Sequence, residues 1–204
     1  KSWTPEGEFI YNLCKKEENK TVVEIGTWNG AGSTTCIVDG LFEKYDDSFL
    51  ISLETSPEMF NKARDLWDKK LLNFNSIFLD RVNLIHGSIL TIKDFPALEE
   101  IRTLEGYISA WDSWYSQDVI NLDSCPNVLE QIPQKIDVLV LDGGEFSTEA
   151  EFKKIGDRAK YIVLDDTRVP KCRNIRKQLL EDKNYEMLVD YSHRNGFSAF
   201  RKKQ

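Results

Sequence analysis

The sequence predicts an α/β domain built on a doubly wound, mainly parallel sheet with helices on both faces. Strand-like and helix-like segments alternate along almost the whole chain. The segment 136–141 is apolar enough to be buried on both faces, as strands of a parallel sheet are. The last two strands are joined by Ser-His-Arg-Asn-Gly, which is typical of a hairpin and adds one antiparallel strand.

Each element has a local signal. Thr4 and Pro5 begin the first helix, because threonine caps a helix and the fixed φ of proline suits the first helical position. Ser56 and Pro57 begin the third helix for the same reason. The strands are predicted at 21–26, 49–53, 82–86, 136–141, 161–164, 186–191 and 197–201, and further helices at about 32–42, 148–157 and 174–181.

An insertion at about 89–133 separates the third and fourth strands and is longer than one crossover helix requires. Its middle contains Trp111, Asp112, Trp114 and Tyr115, whose aromatic rings offer flat apolar faces beside the hydrogen-bond acceptors Asp112 and Asp118. Such a surface suits a sugar or a flat phenolic compound, and these first four residues are the candidate acceptor-binding set. An equally good interpretation is a hydrophobic cluster that holds the insertion against the core.

Composition narrows the function classes. The chain has 204 residues, of which 41% are hydrophobic and 30% charged, so one globular domain over 1–204 is expected. The net charge of −7 and the lack of a basic block predict no nucleic-acid partner. No apolar run approaches the ~18 residues of a membrane span, and no signal peptide is visible. A soluble, cytoplasmic protein without a membrane partner is therefore expected.

The cysteines and the first residue also bear on the protein's context. The four cysteines, Cys14, Cys36, Cys125 and Cys172, are far apart in sequence; disulfides are possible, but reduced intracellular thiols are favoured. The chain begins at Lys1, so we expect one domain of a longer polypeptide. The oligomeric state stays open, a homodimer included.

A glycine-rich loop follows the first strand in the segment TVVEIGTWNGAG. Ligands of doubly wound sheets bind beyond the carboxyl ends of the strands, where Gly26, Gly30 and Gly32 let the backbone approach a ligand closely. The dinucleotide pattern G-x-G-x-x-G does not fit, because the third glycine would be Thr35. A purely structural turn is the alternative.

The segment E-I-G-T-W-N-G-A-G-S (24–33) resembles the E-x-G-x-x-x-G signature of class I S-adenosylmethionine-dependent methyltransferases. The resemblance covers 4–200, with only the insertion unmatched, and implies a Rossmann-like sheet of order 3-2-1-4-5-7-6. It also implies that the loop wraps the methionine part of the cofactor, with room for the sulfonium at the first glycine. The implied cofactor-binding residues are Glu24, Gly26, Thr27, Asn29, Gly30, Ser33, Glu54, Ser88 and Asp142.

Two of these positions have specific roles in the resemblance. Glu54 ends the second strand, where the family has an acid that accepts both ribose hydroxyls. Ser88 follows the third strand and matches the adenine-side contact, whereas His86 is interpreted as structural.

Carboxylates follow two strands that we expect to be neighbours. Asp142 follows the fourth strand, and Asp165 and Asp166 follow the fifth. Three uncompensated carboxylates would repel one another, and a hard divalent cation, Mg²⁺ or Mn²⁺, would relieve this. The alternative is a loop residue at position 142 and a helix cap at position 166.

The arrangement resembles the metal triad of cation-dependent O-methyltransferases, both the catechol type and the sugar type of macrolide and aminocoumarin pathways. The sequence departs from both types at the base. Glu145 stands where the catechol type has a lysine, and Gly144 where the sugar type has an aspartate. We therefore expect catalysis by Glu145 beside Asp142, with His193 of the terminal hairpin as the reserve base.

These features together predict metal-assisted methyl transfer from S-adenosylmethionine to a hydroxyl of a small molecule or of a sugar or glycan, a deoxyhexose such as rhamnose included. The chain also resembles methyltransferase domains of glycan-building polypeptides from large algal DNA viruses. Two alternatives are a metal-dependent glycosyltransferase that uses a nucleotide sugar and a non-catalytic cofactor-binding module. The first would leave the glycine loop without a role.

Overall fold

Seven strands form one sheet in the computed structural model, which describes residues 4–44, 46–72 and 80–203. The strand order is β3-β2-β1-β4-β5-β7-β6, with β7 antiparallel to both of its neighbours, as the sequence predicted. The strands are Thr21–Ile25 (β1), Phe49–Glu54 (β2), Val82–His86 (β3), Ile136–Leu141 (β4), Ala159–Asp165 (β5), Tyr185–Tyr191 (β6) and Phe197–Lys202 (β7).

Helices connect the strands. They are Pro5–Cys14 (α1), Ser33–Phe42 (α2), Pro57–Leu71 (α3), Leu98–Arg102 (α4), Ala110–Ser124 (α5), Thr148–Ile155 (α6) and Pro170–Glu181 (α7). The predicted start of α7 near Asn174 was wrong, because the helix begins at Pro170, where the fixed φ of proline favours a first turn. The insertion between β3 and β4 contains α4 and α5.

The two faces of the sheet are covered by different helices. Alternate strand residues point to opposite faces, so Val22 and Val23 belong to two different core clusters. One cluster includes buried residues of α1, α2 and α3, and the other includes residues of α5, α6 and α7. This three-layer packing explains why β1, β4 and β5 are apolar on both faces.

The register of the central strands determines which residues meet at the edge of the sheet. Ile25 pairs with Leu141, and Leu141 pairs with Leu164. Since all three strands are parallel, the residues that follow them leave the sheet side by side. The glycine loop after β1 and the carboxylates after β4 and β5 are therefore neighbours.

Two further observations concern the expected context of the protein. None of the helices in the described ranges has both the length and the apolar character of a membrane span. Within the described residues Cys14, Cys36, Cys125 and Cys172 form no disulfide, and of these four only Cys125 is partly exposed.

Candidate functional site

Gly26 begins the loop after β1 in a backbone conformation with φ of +96°, which disfavours any residue with a side chain. Its N–H donates to Leu53 O at 2.9 Å. A Cβ at this position would lie 2.0 Å from the carbonyl oxygen of Asp142. Sequence reasoning assigned this glycine to the cofactor; in the structure the backbone at the end of β4 already requires it.

The turn of the loop depends on two more left-handed residues. Gly30 has φ of +74°, and its carbonyl accepts a hydrogen bond of 2.9 Å from Trp67 Nε1 of α3. Trp28 has φ of +51°, which is unusual for a bulky residue, and its side chain is largely exposed. The N–H of Trp28 donates to Glu54 Oε2 at 2.7 Å, so the loop is tied to the end of β2.

Glu24 lies fully buried beneath this loop, near the end of β1. Its Oε2 accepts hydrogen bonds from Thr34 Oγ1 at 2.7 Å and from Ser52 Oγ at 2.5 Å. Thr27 Oγ1 lies 2.5 Å from the same serine oxygen and extends the chain of hydroxyls. Glu24 Oε1 has no partner among the described residues, and burial raises the pKa of this carboxyl.

Glu54 ends β2 with both carboxylate oxygens already in use. Oε2 accepts from the N–H of Trp28, and Oε1 accepts from the N–H of Ser56 at 2.8 Å. Each oxygen of an ionised carboxylate has a second lone pair, so further donors can still bind. The side chain lines a cavity at the carboxyl end of the sheet, and burial raises its pKa.

The cavity beside Glu54 has a polar wall built from β2, α5, α6 and the loops after β1, β3 and β4. Ser88 is buried after β3 and accepts a hydrogen bond from the N–H of Leu90 at 3.0 Å. His86 lies outside this wall, with Nε2 3.1 Å from Thr55 O. The side chains and loop residues that line the cavity include Gly26, Trp28, Glu54, Ser88, Asp118, Asn121, Asp142, Gly143, Ser147 and Glu151.

Asp118 and Glu151 were not assigned to this cavity from the sequence. Burial raises the pKa of Asp118 to about 6, and repulsion by Glu145 and Glu54 adds to the shift. Burial raises the pKa of Glu151 to about 7, and its Oε2 has no partner among the described residues. Glu151 lies on the buried face of α6 with Phe152. A charged residue on the apolar face of a helix was the feature of the sequence that indicated an unusual environment.

Asn29 and Ser33 lie on the other side of the glycine loop. Asn29 Oδ1 accepts from the N–H of Ala31 at 3.1 Å and stabilises the turn. Ser33 begins α2 and lines a second cavity, which also borders Asp142 and Asp165. The carboxylate cluster therefore lies between two cavities that share Asp142 as a wall.

The carboxylates of β4 and β5 converge as predicted. Asp142, Asp165 and Asp166 each offer one oxygen, and these oxygens lie within 4.8 Å of one another. Helix α7 begins after Val169, so Asp166 does not cap it. Asp166 has φ of +55°, and burial together with the charges of its two neighbours raises the pKa of Asp165 to about 6.

A lysine that sequence reasoning missed lies within this cluster. Lys171 Nζ donates to Asp142 Oδ1 at 2.5 Å and to Asp166 Oδ2 at 3.0 Å, and its side chain is only 7% exposed. Burial alone would lower the pKa of Lys171, but the two carboxylates outweigh it and raise the pKa. Lys171 lies in the first turn of α7, where a positive charge is unfavourable beside the helix macrodipole. A lysine at that position indicates a negatively charged partner, and the sequence offered this sign.

The two candidate bases lie in different surroundings. Glu145 is half-buried, lines a broad cleft of about 600 Å³ between the insertion and α7, and has a pKa raised by burial. The backbone N–H of Lys171 and its positive charge oppose that shift. His193 of the terminal hairpin pairs with Glu6 of α1.

The aromatic residues of the insertion divide into packed and exposed. Trp111 is 7% exposed and packs against Phe146, whereas Trp114 is 49% exposed. Tyr115 is half-buried, and its hydroxyl donates to Pro96 O at 2.9 Å. Asp112 accepts from Arg102 Nη2 at 2.6 Å and from the hydroxyl of Tyr107 at 2.8 Å. Trp111 thus packs the insertion against Phe146 of the loop after β4, in a cluster separate from the main core. Acceptor binding by these residues stays a prediction.

Solved structures of methyltransferases share the fold. The S-adenosylhomocysteine-bound methyltransferase of Podospora anserina is 18% identical with a TM-score of 0.58, over 100% of this chain and 80% of that chain. An O-methyltransferase from Bacillus cereus, in complex with S-adenosylhomocysteine, is 18% identical with a TM-score of 0.56, over 98% and 80%. The O-methyltransferase of tomaymycin synthesis from Streptomyces achromogenes, in complex with S-adenosylmethionine, is 13% identical with a TM-score of 0.60, over 100% and 82%.

No family model and no curated protein matches the sequence. At these identities the structural likeness shows the fold, which is the class I methyltransferase fold that the sequence resemblance implied.

The packing of the insertion predicts a large loss of stability on replacing one of its two tryptophans and a small change on replacing the other. Trp111→Ala should lower the free energy of unfolding by ~3–5 kcal/mol, because it empties a buried aromatic site. Trp114→Ala, the matched control, should change it by less than ~0.5–1 kcal/mol, because half of its ring is in water. Urea denaturation measures both, and equal stabilities of the two variants would contradict the assignment.

The buried carboxyl of Glu151, with one oxygen unpartnered among the described residues, predicts a pH-dependent stability. The folded chain keeps a proton on Glu151 up to a pKa of about 7, whereas the ordinary pKa is 4.5. Stability should therefore fall as pH rises between these values, because the unfolded chain releases that proton first. Glu151→Gln should raise the free energy of unfolding at pH 8 by up to ~3 kcal/mol and change it little at pH 4.

Urea denaturation from pH 4 to 8 tests this expectation. Glu8→Gln, at an exposed position of α1, is the matched control and should follow the wild-type curve. If the free energy of unfolding of Glu151→Gln varied with pH as that of the wild type does, Glu151 would not be the cause of the pH dependence.

Proposed function

We propose that this chain is an S-adenosylmethionine-dependent O-methyltransferase that acts on a hydroxyl of a small molecule or a carbohydrate. One observation carries the proposal. The glycine loop, Glu54 and the Asp142 cluster meet at the carboxyl ends of β1, β2 and β4, in a fold shared with methyltransferases solved with the cofactor or its product. That edge is where ligands bind in open parallel sheets.

The cavity residues fit such a cofactor. Glu54 keeps free lone pairs for a vicinal diol, and Ser88 and Asp118 offer polar groups along the same wall. Glu54, Asp118 and Asp142 all line this cavity, so its wall carries several carboxyl groups. S-Adenosylmethionine would supply an electrophilic methyl group on a positively charged sulfur, and an acidic cavity favours a cation.

The broad cleft supports a site for the acceptor beside the cofactor cavity. Its volume of about 600 Å³ is in the range of small-molecule pockets. Phe95 and Phe146 give it apolar surface, while Lys93, Arg173 and Asn174 give it hydrogen-bond donors. This mixture suits a hydroxylated ring such as a sugar, with a deoxyhexose such as rhamnose as one candidate, or a phenol.

Glu145 is the proposed general base. It lines the acceptor cleft, and its raised pKa brings the carboxylate closer to that of an effective base near neutral pH. Its role is to accept the proton of the acceptor hydroxyl. His193 is engaged with Glu6 and stays the reserve candidate.

The predicted divalent cation stays a prediction. The oxygen spacing of Asp142, Asp165 and Asp166 suits a hard cation. The ammonium of Lys171, however, lies 2.5 Å and 3.0 Å from two of those carboxylates, so a second cation there would meet strong repulsion. This donor set as built does not fit a metal, and no step of the proposed reaction uses one.

The rival functions account for fewer of these residues. A glycosyltransferase with a nucleotide sugar would leave the buried Glu24 and the strained glycine loop without a ligand. A non-catalytic cofactor-binding module would leave Glu145 without a role. The net charge of −7 supports an acceptor other than nucleic acid.

The cofactor assignment predicts a binding defect at Glu54. Glu54→Ala removes charge-assisted hydrogen bonds of ~1.5–3 kcal/mol, so the affinity for S-adenosylhomocysteine should fall tenfold or more. Calorimetry measures it, with Glu58→Ala at an exposed position of α3 as the matched control. The wild-type chain should bind S-adenosylhomocysteine and not a UDP-sugar. Unchanged binding of S-adenosylhomocysteine by a folded Glu54→Ala variant would rule out the role assigned to Glu54.

The base assignment predicts a kinetic defect without a binding defect. Glu145→Gln should lower kcat by ~10²–10⁴, the range expected for loss of a general base, and keep wild-type affinity for S-adenosylhomocysteine. Methyl transfer from radiolabelled S-adenosylmethionine to a panel of phenols, catechols and sugars, rhamnose included, provides the assay. Glu130→Gln, at an exposed position, is the control, and full activity of Glu145→Gln would move the base elsewhere.

A further inference from the structure

We propose that Lys171 is the resident cation of the Asp142 cluster and takes the place of a divalent metal in this chain, so that the cluster is complete without a metal ion. The inference deepens the proposed function and rests on it for the role of the site. The claim that Lys171 occupies the cluster depends only on the contacts of Lys171 with Asp142 and Asp166.

The position of Lys171 is the position that a metal would need. Its Nζ contacts Asp142, which follows β4, and Asp166, which follows β5, and so bridges the two strand ends. These are two of the three carboxylates whose oxygens lie within 4.8 Å of one another. A bridging cation between neighbouring carboxylates is what relieves their repulsion.

The lysine cannot leave this position at low cost. Its side chain is 7% exposed, and the next residue, Cys172, is fully buried in the core that α7 shares with the sheet. Pro170 fixes the backbone just before it at the first position of α7. Removing the ammonium would also leave the half-buried Asp142 and Asp166 without a counter-charge, which is unfavourable.

Lys171 also lines the acceptor cleft together with Glu145. An ammonium has three N–H donors, and the hydrogen bonds within the described part of the chain use two of them. The third can donate to the oxygen of an acceptor hydroxyl, which holds that oxygen near Glu145 and stabilises negative charge on it.

The resulting step balances without a metal. The proton of the acceptor hydroxyl passes to Glu145, and an electron pair of the oxygen forms the new C–O bond. The broken C–S bond leaves its electron pair on sulfur. Lys171 gives up no proton in this step, so its part is to position the oxygen and to supply a fixed positive charge.

Calorimetric titration with Mn²⁺ alone tests the occupant of the cluster. The wild-type chain should bind Mn²⁺ at least ~100-fold more weakly than Lys171→Met, because the variant frees the carboxylate oxygens that Lys171 occupies and removes the repelling ammonium. Lys177→Met, at an exposed position of the same helix, is the matched control and should behave as wild type. Asp165→Asn added to Lys171→Met should weaken its Mn²⁺ binding.

Wild-type binding of one Mn²⁺ per chain that Asp165→Asn abolishes would overturn the inference. That titration needs no variant of Lys171, so it decides the question even if Lys171→Met does not fold. Lys171→Arg keeps a cation, and tight Mn²⁺ binding by this variant would equally count against the inference.

A parallel titration with S-adenosylhomocysteine separates this inference from the proposed function. Wild type and Lys171→Met should both bind S-adenosylhomocysteine, since Glu54, Ser88 and Asp118 of the cofactor cavity are the same in both. A wild-type chain that does not bind it would refute the cofactor assignment, whereas the Mn²⁺ result would still decide which cation the cluster holds.

Discussion

The close approach of β1 and β4 at the edge of the sheet is the constraint on which the site depends. Asp142 N–H donates to Ile25 O at 2.9 Å, and the chain after β1 must then turn away past the Asp142 carbonyl. Only a residue without Cβ fits there, because a Cβ on Gly26 would lie 2.0 Å from that oxygen. This approach places the glycine loop, the end of β2 and the cluster after β4 around one cavity.

Charge is distributed unevenly around that cavity. Asp142 and Asp166 share the ammonium of Lys171. No cation among the described residues contacts Asp118 or Glu151 of the cavity wall, or Glu24 beneath the glycine loop. Burial shifts the pKa of each of these three carboxyls upward, which lowers the cost of keeping them out of water. A positively charged ligand in the cavity would stabilise the ionised form of Asp118, and a hydroxyl beside Lys171 would meet an N–H donor, as the proposed reaction requires.

The insertion between β3 and β4 serves both packing and the site. Trp111 and Phe146 attach it to the loop after β4, so α5 lies across the carboxyl end of the sheet. That position brings Asp118 of α5 into the cavity wall, with its carboxylate close to Gly144. Trp111, which packs against Phe146, and Asp118, which reaches the cavity, are thus both on α5, about two turns apart.

The sequence by itself determined the fold, the loop after β1 and the convergence of the three aspartates. These follow from hydrophobic periodicity, glycine spacing and the rule that parallel strands end at one edge, all of which act over short stretches of chain. Only the tertiary structure decided that Lys171 lies among those aspartates, that Trp111 is buried and that Glu151 faces the cavity. Each of these depends on how a helix is rotated and placed against the sheet, and that is set by packing between residues far apart in sequence.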